Sequence, residues 1–316
     1  MSMTERIEPG QTFCGVPFCD DLGALEAEVA VLGAPHGTPY EPGTPSHAAG
    51  GAGAVRGALG WYSTNPEQFD FDSMGPLFGG ARVVDCGDVV GDLHDGARNR
   101  SRIEAAVRAL RERGAVPLLL GGDDSVPIPL FRAYSEARGL TIVQIDAHID
   151  WRDQVKGVRE GFSSTMRRAS EMAQIERIIQ IGARGPGSAR AAELDDARAW
   201  GAFIHNARAV HAQGVAPALA QVPEAAEVIL SIDIDGIDPS VVPGVILPAF
   251  GGLDYQQVLD VIHGVAAKAT IVGAAFVEYV PEQDPTGRGA QAIARLASNV
   301  IAAVGAHHDA QGPARP

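Results

Sequence analysis

The stretch Glu227-Val228-Ile229-Leu230-Ser231-Ile232-Asp233-Ile234-Asp235-Gly236-Ile237-Asp238-Pro239 runs from an apolar, β-branched segment directly into three carboxylates and a turn. An apolar run of this length reads as a strand buried on both faces, the kind found in parallel sheets. Two other stretches repeat the design. Val116-Pro117-Leu118-Leu119-Leu120 leads into Gly121-Gly122-Asp123-Asp124-Ser125, and Leu140-Thr141-Ile142-Val143-Gln144-Ile145 leads into Asp146-Ala147-His148-Ile149-Asp150. In open α/β sheets, ligands sit beyond the carboxyl ends of the strands. Three such ends would gather many carboxylates and one imidazole at a single edge. Charges of one sign are too costly to cluster without a counter-ion, so a pair of divalent metals is the economical explanation. In Asp233-Ile234-Asp235 the alternation of an extended segment would turn both carboxylates to the same side. Aspartates are also common in turns and helix caps, and Asp123 and Asp238 fit that plainer role.

Working outward, apolar β-type runs alternate with alanine-rich helical stretches. Strands are predicted at 29–33, 82–85, 116–120, 140–145, 177–182, 202–205, 228–233 and 270–277. Helices are predicted at 101–113, 189–200, 255–268 and 288–303, the first with Ser101 and Glu104 in capping-box positions. This alternation predicts helices on both faces of a mainly parallel sheet. We expect an N-terminal extension over 1–27, a single domain over 28–306 and a frayed tail over 307–316. The long loops 34–53 and 61–80 exceed simple connectors and are expected to line a site or an interface.

The 316 residues carry a formal net charge of −14, which argues against nucleic acid and anionic membranes as partners. Cys14, Cys19 and Cys86 are too few and too irregularly spaced for a disulfide framework or a zinc site. With no apolar signal core and no run of membrane-spanning length, the sequence reads as cytoplasmic.

Asp146-Ala147-His148-Ile149-Asp150 resembles the DAHxD motif of the ureohydrolases, the family of arginase, agmatinase and guanidinobutyrase. Ser231 to Pro239 is similar to that family's SxDxDxxDP motif, and Gly121 to Ser125 to its GGDHS motif with one change. The resemblance runs from about residue 28 to about 303. It implies an α/β/α sandwich around a mainly parallel sheet of about eight strands, assembled as trimers or hexamers. It also implies two divalent ions, Mn2+ or alternatively Ni2+, which activate a water against a small guanidine-type substrate. Carried over, one ion would take Asp124, Asp146, Asp150 and Asp233. The other would take Asp146, His148, Asp233 and Asp235, with Asp150 also in the catalytic set. Glu278 would receive the cationic end of the substrate, with His36 and Phe162 along the substrate side. Of the loop histidines His36 and His47, His36 is the better candidate because it precedes Gly37.

Four departures fall on the same face. Asp124 replaces the GGDHS histidine. Phe162 fills a position where the family carries a histidine thought to move protons or touch substrate. Ala275 stands where an aspartate usually precedes the glutamate by three residues. Val245-Ile246-Leu247-Pro248-Ala249-Phe250 is more apolar than the family's segment. Two readings follow. The chain is a silent subunit that assembles with an intact paralogue in a hydrolase of guanidines or biguanides, or it is a stand-alone hydrolase with altered ligands.

Overall fold

Successive residues of each central strand enter opposite cores. Along 116–121, Leu118 and Leu120 join one cluster and Leu119 the other. Along 140–145, Val143 and Ile145 part from Leu140 and Ile142, and along 270–277, Ala274 and Phe276 part from Ala275 and Val277. A period of two with apolar residues on both faces is what makes these strands read as unbroken apolar runs. The structure is a computed structural model and describes residues 6–60, 65–187 and 189–311, the side chains of 307–311 excepted.

The strands are β1 (Arg6–Ile7), β2 (Val29–Ala34), β3 (Phe69–Asp70), β4 (Gly75–Pro76), β5 (Val83–Val89), β6 (Val116–Gly121), β7 (Leu140–Ile145), β8 (Ile175–Ile181), β9 (Phe203–His205), β10 (Glu227–Asp233) and β11 (Thr270–Val277). Nine of them form one sheet in the order β1-β5-β2-β6-β11-β10-β7-β8-β9, while β3 and β4 make a separate hairpin inside the 61–80 loop. Every pairing in the large sheet is parallel except β1 on β5. One core is covered by helices 51–57, 207–213, 216–219, 255–266 and 288–311, the other by helices 96–112, 127–132, 165–170 and 191–200. The sandwich has three layers, with nine strands rather than about eight.

The N-terminal segment is tied to the domain. Its β1 extends the sheet, and the buried Phe13 donates its N–H to Asp85 Oδ2 at 2.8 Å. Asp85 is also gripped by Arg56, through Nε at 2.8 Å and Nη2 at 3.1 Å, and Arg56 reaches Asp88 at 2.5 Å. Arg56 and Asp85 are both buried.

One helix starts earlier than its sequence pattern indicates. It spans Gly96–Glu112, capped by Asp95, whose side chain accepts from the Arg98 N–H at 2.9 Å. Ser101 is therefore no cap; its hydroxyl donates one turn back to the Ala97 carbonyl at 3.0 Å. The reason is that buried polar residues occupy the inward positions of the first turns. Asn99 holds the Gly37 and Asp92 carbonyls, and Arg102 holds that of Val90, so the apolar spacing begins only at Ile103. The last helix runs on to Gln311, and the end of the expected tail, 312–316, lies outside the described residues. Among the described residues, no helix is long and apolar enough to cross a membrane.

Candidate metal centre

Four adjacent strands at the middle of the sheet, β6, β11, β10 and β7, present their carboxyl ends together. β6 and β7 are consecutive in the chain yet have two strands, β11 and β10, between them, which opens a crevice of the kind that α/β sheets use for ligands. Asp124 follows β6, Asp146 to Asp150 follow β7, Asp233 ends β10 and Glu278 follows β11.

The third aspartate stretch is not extended throughout. Ile234–Gly236 is a 3-10 turn, so strand alternation does not align Asp233 with Asp235. Instead the Asp235 N–H donates to Asp233 Oδ1 at 2.8 Å, and Asp235 Oδ1 accepts from the Ala147 N–H at 3.0 Å. Gly236 is required here, because a Cβ would lie 2.5 Å from the Asp146 nitrogen. Arg184 clamps the turn from outside, donating to the carbonyls of Asp235 at 2.6 Å and Gly236 at 3.1 Å.

Two groups of potential ligand atoms result, each with its atoms within 4.8 Å of one another: Asp146, His148 and Asp235, and Asp124, Asp146 and Asp233. Asp146 belongs to both. Asp150 is in neither group but lines the same cavity. Asp150 and Glu278 hold left-handed backbones, φ 46° and 68°, a conformation that costs a non-glycine residue free energy and gathers at functional sites.

The charged groups of the site act on one another. Burial, joined by neighbouring carboxylates, pushes Asp124, Asp146 and Asp233 well above the usual carboxylate range. Burial alone would depress the His148 imidazole, but the hydrogen bond and charge of Asp235, at 3.0 Å, push it up to about 9. Burial would raise Asp235, and the same contact holds it below its ordinary value. Both Asp124 oxygens are buried and have no hydrogen-bond partner.

Two residues behind the cluster were not singled out from the sequence. Gln144 Nε2 donates to Asp146 Oδ2 at 2.6 Å and Asp150 Oδ2 at 3.0 Å, and Gln180 Nε2 donates to Gln144 Oε1 at 2.5 Å. Both glutamines are buried. Their signal was present: each is a lone amide in the apolar carboxyl-terminal half of its strand, where an unpaired polar group is costly.

The cavity at this edge has a volume of about 270 Å³. Asp150, Asp233, Asp235, His148 and Glu278 line it together with Tyr40, Trp151, Phe162, Ile246 and Leu247. Phe162 packs on Tyr40, ring centres 4.5 Å apart, and meets His47 edge-on at 5.4 Å. His47 Nε2 pairs with Glu278 Oε2, while Glu278 Oε1 accepts from the Asp124 N–H at 2.8 Å. His36 instead sits in a smaller crevice with Asp92, Asn99 and Asp123, packed over Gly91. Asp123 and Asp238 act as turn residues, accepting from Ser125 and from Ser240, Gly251 and Gly252. Arg167 pairs with Asp196, and the buried Arg168 pairs with the exposed Asp153 and Glu171. Ala275 is buried in the core on the far side of the sheet from Phe276.

This arrangement, with aspartates at adjacent strand ends and a matching sequence model over residues 27–303, shows that the chain belongs to the arginase family. It is similar to guanidinobutyrase of Pseudomonas aeruginosa, 34% identical over 211 residues, which are 63% of this chain and 66% of the relative, just under two thirds of its length. It is also similar to guanidinopropionase of the same organism, 32% identical over 87% of each chain. Among solved structures, proclavaminate amidino hydrolase from Streptomyces clavuligerus matches with a TM-score of 0.80 and 26% identity. That match covers 98% of this chain and 100% of the other.

Proposed function

We propose that this chain is a subunit of a metal-dependent hydrolase that cleaves a C–N bond of a guanidine or biguanide, metformin being one such compound. The products are urea, or a substituted urea, and an amine. In this reading its own site is altered, and it supports an intact paralogue within a cytoplasmic trimer or hexamer.

The residues present fit a divalent ion. The two orphaned Asp124 oxygens beside Asp146 and Asp233 are acceptors with nothing to accept from. Oxygen-rich sites with one imidazole suit Mn2+, and imidazole also admits Ni2+. Asp124, Asp146 and Asp233 would hold one ion, and Asp146, His148 and Asp235 the other, with Gln144 fixing the orientation of Asp146. Bound divalent ions supply Lewis acidity and an activated water. Glu278, with its backbone fixed in an unusual conformation, offers the carboxylate for a cationic substrate. Ile246 and Leu247 give the cavity an apolar wall.

The observation that carries the supporting role is the substrate end. Phe162 occupies the position where a histidine is expected and packs on Tyr40, and a phenyl ring can neither donate nor accept a proton. The second reading, a stand-alone agmatinase- or guanidinobutyrase-like enzyme, is favoured by the Asp124 oxygens, which lie ready for an ion despite the missing imidazole.

The test is to express the chain alone, measure bound Mn2+ or Ni2+, and assay urea release from guanidine and biguanide substrates. Turnover by the isolated, metal-loaded chain would overturn the supporting role. Silence alone, with activity on mixing with a paralogue carrying both histidines, supports it.

A further inference from the structure

Resting on the reading that Glu278 receives the substrate cation, we propose that His47 is a built-in occupant of that seat. A guanidinium ligand must then displace the His47 imidazole before it can bind.

Glu278 has no idle oxygen. Oε1 accepts from the Asp124 N–H at 2.8 Å, and Oε2 is engaged by His47 Nε2. Glu278 as a residue is only 5% exposed, and the imidazole that engages its Oε2 abuts Phe162, a residue of the cavity wall. The imidazole is held as well. It comes from the long 34–53 loop and abuts the Phe162 ring edge-on, and Phe162 is itself backed by Tyr40. Tyr40 is anchored by the Ser163 N–H, which donates to its hydroxyl at 2.9 Å. Loop and aromatic pair therefore hold the imidazole against Glu278 Oε2. Burial alone would depress the imidazole, but the bond and charge of Glu278 outweigh it and lift His47 above the usual histidine range, which favours the cation.

The consequence is a filter. An imidazolium offers Glu278 a single N–H, whereas a guanidinium offers several in a planar fork that matches a carboxylate. A simple ammonium has the charge but not the fork, and competes poorly with an occupant already in place. His47 thus acts as a specificity residue: it raises the threshold for occupying the seat and favours ligands with an amidine or guanidine plane.

The test is calorimetric titration of the full, Mn2+-loaded chain with agmatine and, as the single-ammonium control, butylamine. Four forms are compared: wild type, His47→Ala, Glu278→Gln and the double variant. His47→Gln is added in case alanine destabilises the loop, and Tm is recorded for each. We expect His47→Ala or His47→Gln to bind agmatine at least tenfold more tightly than wild type. We also expect butylamine to gain relatively more, and Glu278→Gln to cancel both gains. If neither His47 variant gains while Glu278→Gln weakens agmatine binding, Glu278 is the seat but His47 is no occupant, and only this inference falls. If Glu278→Gln changes nothing in any background, the seat is elsewhere and the reading beneath the inference falls with it.

Discussion

Asp124→Asn should change the sign of its effect with metal. Without ions, Asp124 is a buried carboxyl with two unpartnered oxygens facing Asp150 and Glu278. Because burial and neighbouring carboxylates raise its pKa, Asp124 must take up a proton or bear an unfavourable charge when the metal-free chain folds, and Asn removes that penalty, about 1–3 kcal/mol. At about 2 °C per kcal/mol for a chain of this size, the metal-free variant should melt roughly 2–6 °C above wild type. With free Mn2+ at a hundredfold excess over Kd, binding stabilises wild type by about 2.7 kcal/mol, or roughly 5 °C. The variant should gain much less, because an amide oxygen is a weaker ligand than a carboxylate. Differential scanning calorimetry after chelation and again after Mn2+ addition measures all four values. A metal-free variant that melts below wild type would refute the electrostatic argument. Equal Mn2+-induced rises in both proteins would show that Asp124 is no ligand.

Other consequences can be checked in the same preparations. With His148 lifted to about 9 and Asp124, Asp146 and Asp233 raised, the metal-free site carries protons that an ion must displace. Mn2+ affinity should therefore tighten as pH rises from 6 to 8, and calorimetry in buffers of different ionisation enthalpy should record proton release; a pH-independent Kd would contradict this. Gln144→Leu removes the donor shared by Asp146 and Asp150 and should weaken Mn2+ binding by about 10–100-fold, which equilibrium dialysis can follow; unchanged affinity would leave the glutamine pair a purely packing role. Arg56→Ala strands the buried Asp85 and should cost about 3–5 kcal/mol in urea denaturation, with a loss below 1 kcal/mol counting against the pair as a structural clamp. Restoring Asp124→His together with Phe162→His should raise Mn2+ uptake, and no change would point to obstruction by the 245–250 segment.

Much of the site was legible because its carboxylates immediately follow the strands that position them. Asp146, His148 and Asp233 needed only a strand and its next few residues to be placed. His47 was not legible, because its meaning depends on Glu278, 231 residues away in the chain. His36 seemed the better loop histidine on local grounds, yet the loop turns it toward Asp123 and Gly91. Asp235 was placed near Asp233 for a reason that does not apply, since a turn and not strand alternation unites them. In the large sheet one strand escaped the pattern: β1 has two residues, too short for any period to show, whereas the three residues of β9 fall within the strand predicted at 202–205. The start of helix 96–112 escaped because Asn99 and Arg102 face inward where apolar side chains are expected.

The strand order has a kinetic consequence. β11, the last strand to be synthesised, lies between β6 and β10, and without it the sheet is two separate pieces, β1-β5-β2-β6 and β10-β7-β8-β9. During synthesis each piece can form on its own, but they can join only after residue 277 has emerged and β11 has inserted into the gap. That long-range insertion is the kind of step that slows folding. The carboxylate edge spans this seam, with Asp124 following one piece, Asp146 and Asp233 on the other, and Glu278 directly after the inserted strand. The ligand set is therefore complete only once β11 has joined the two pieces.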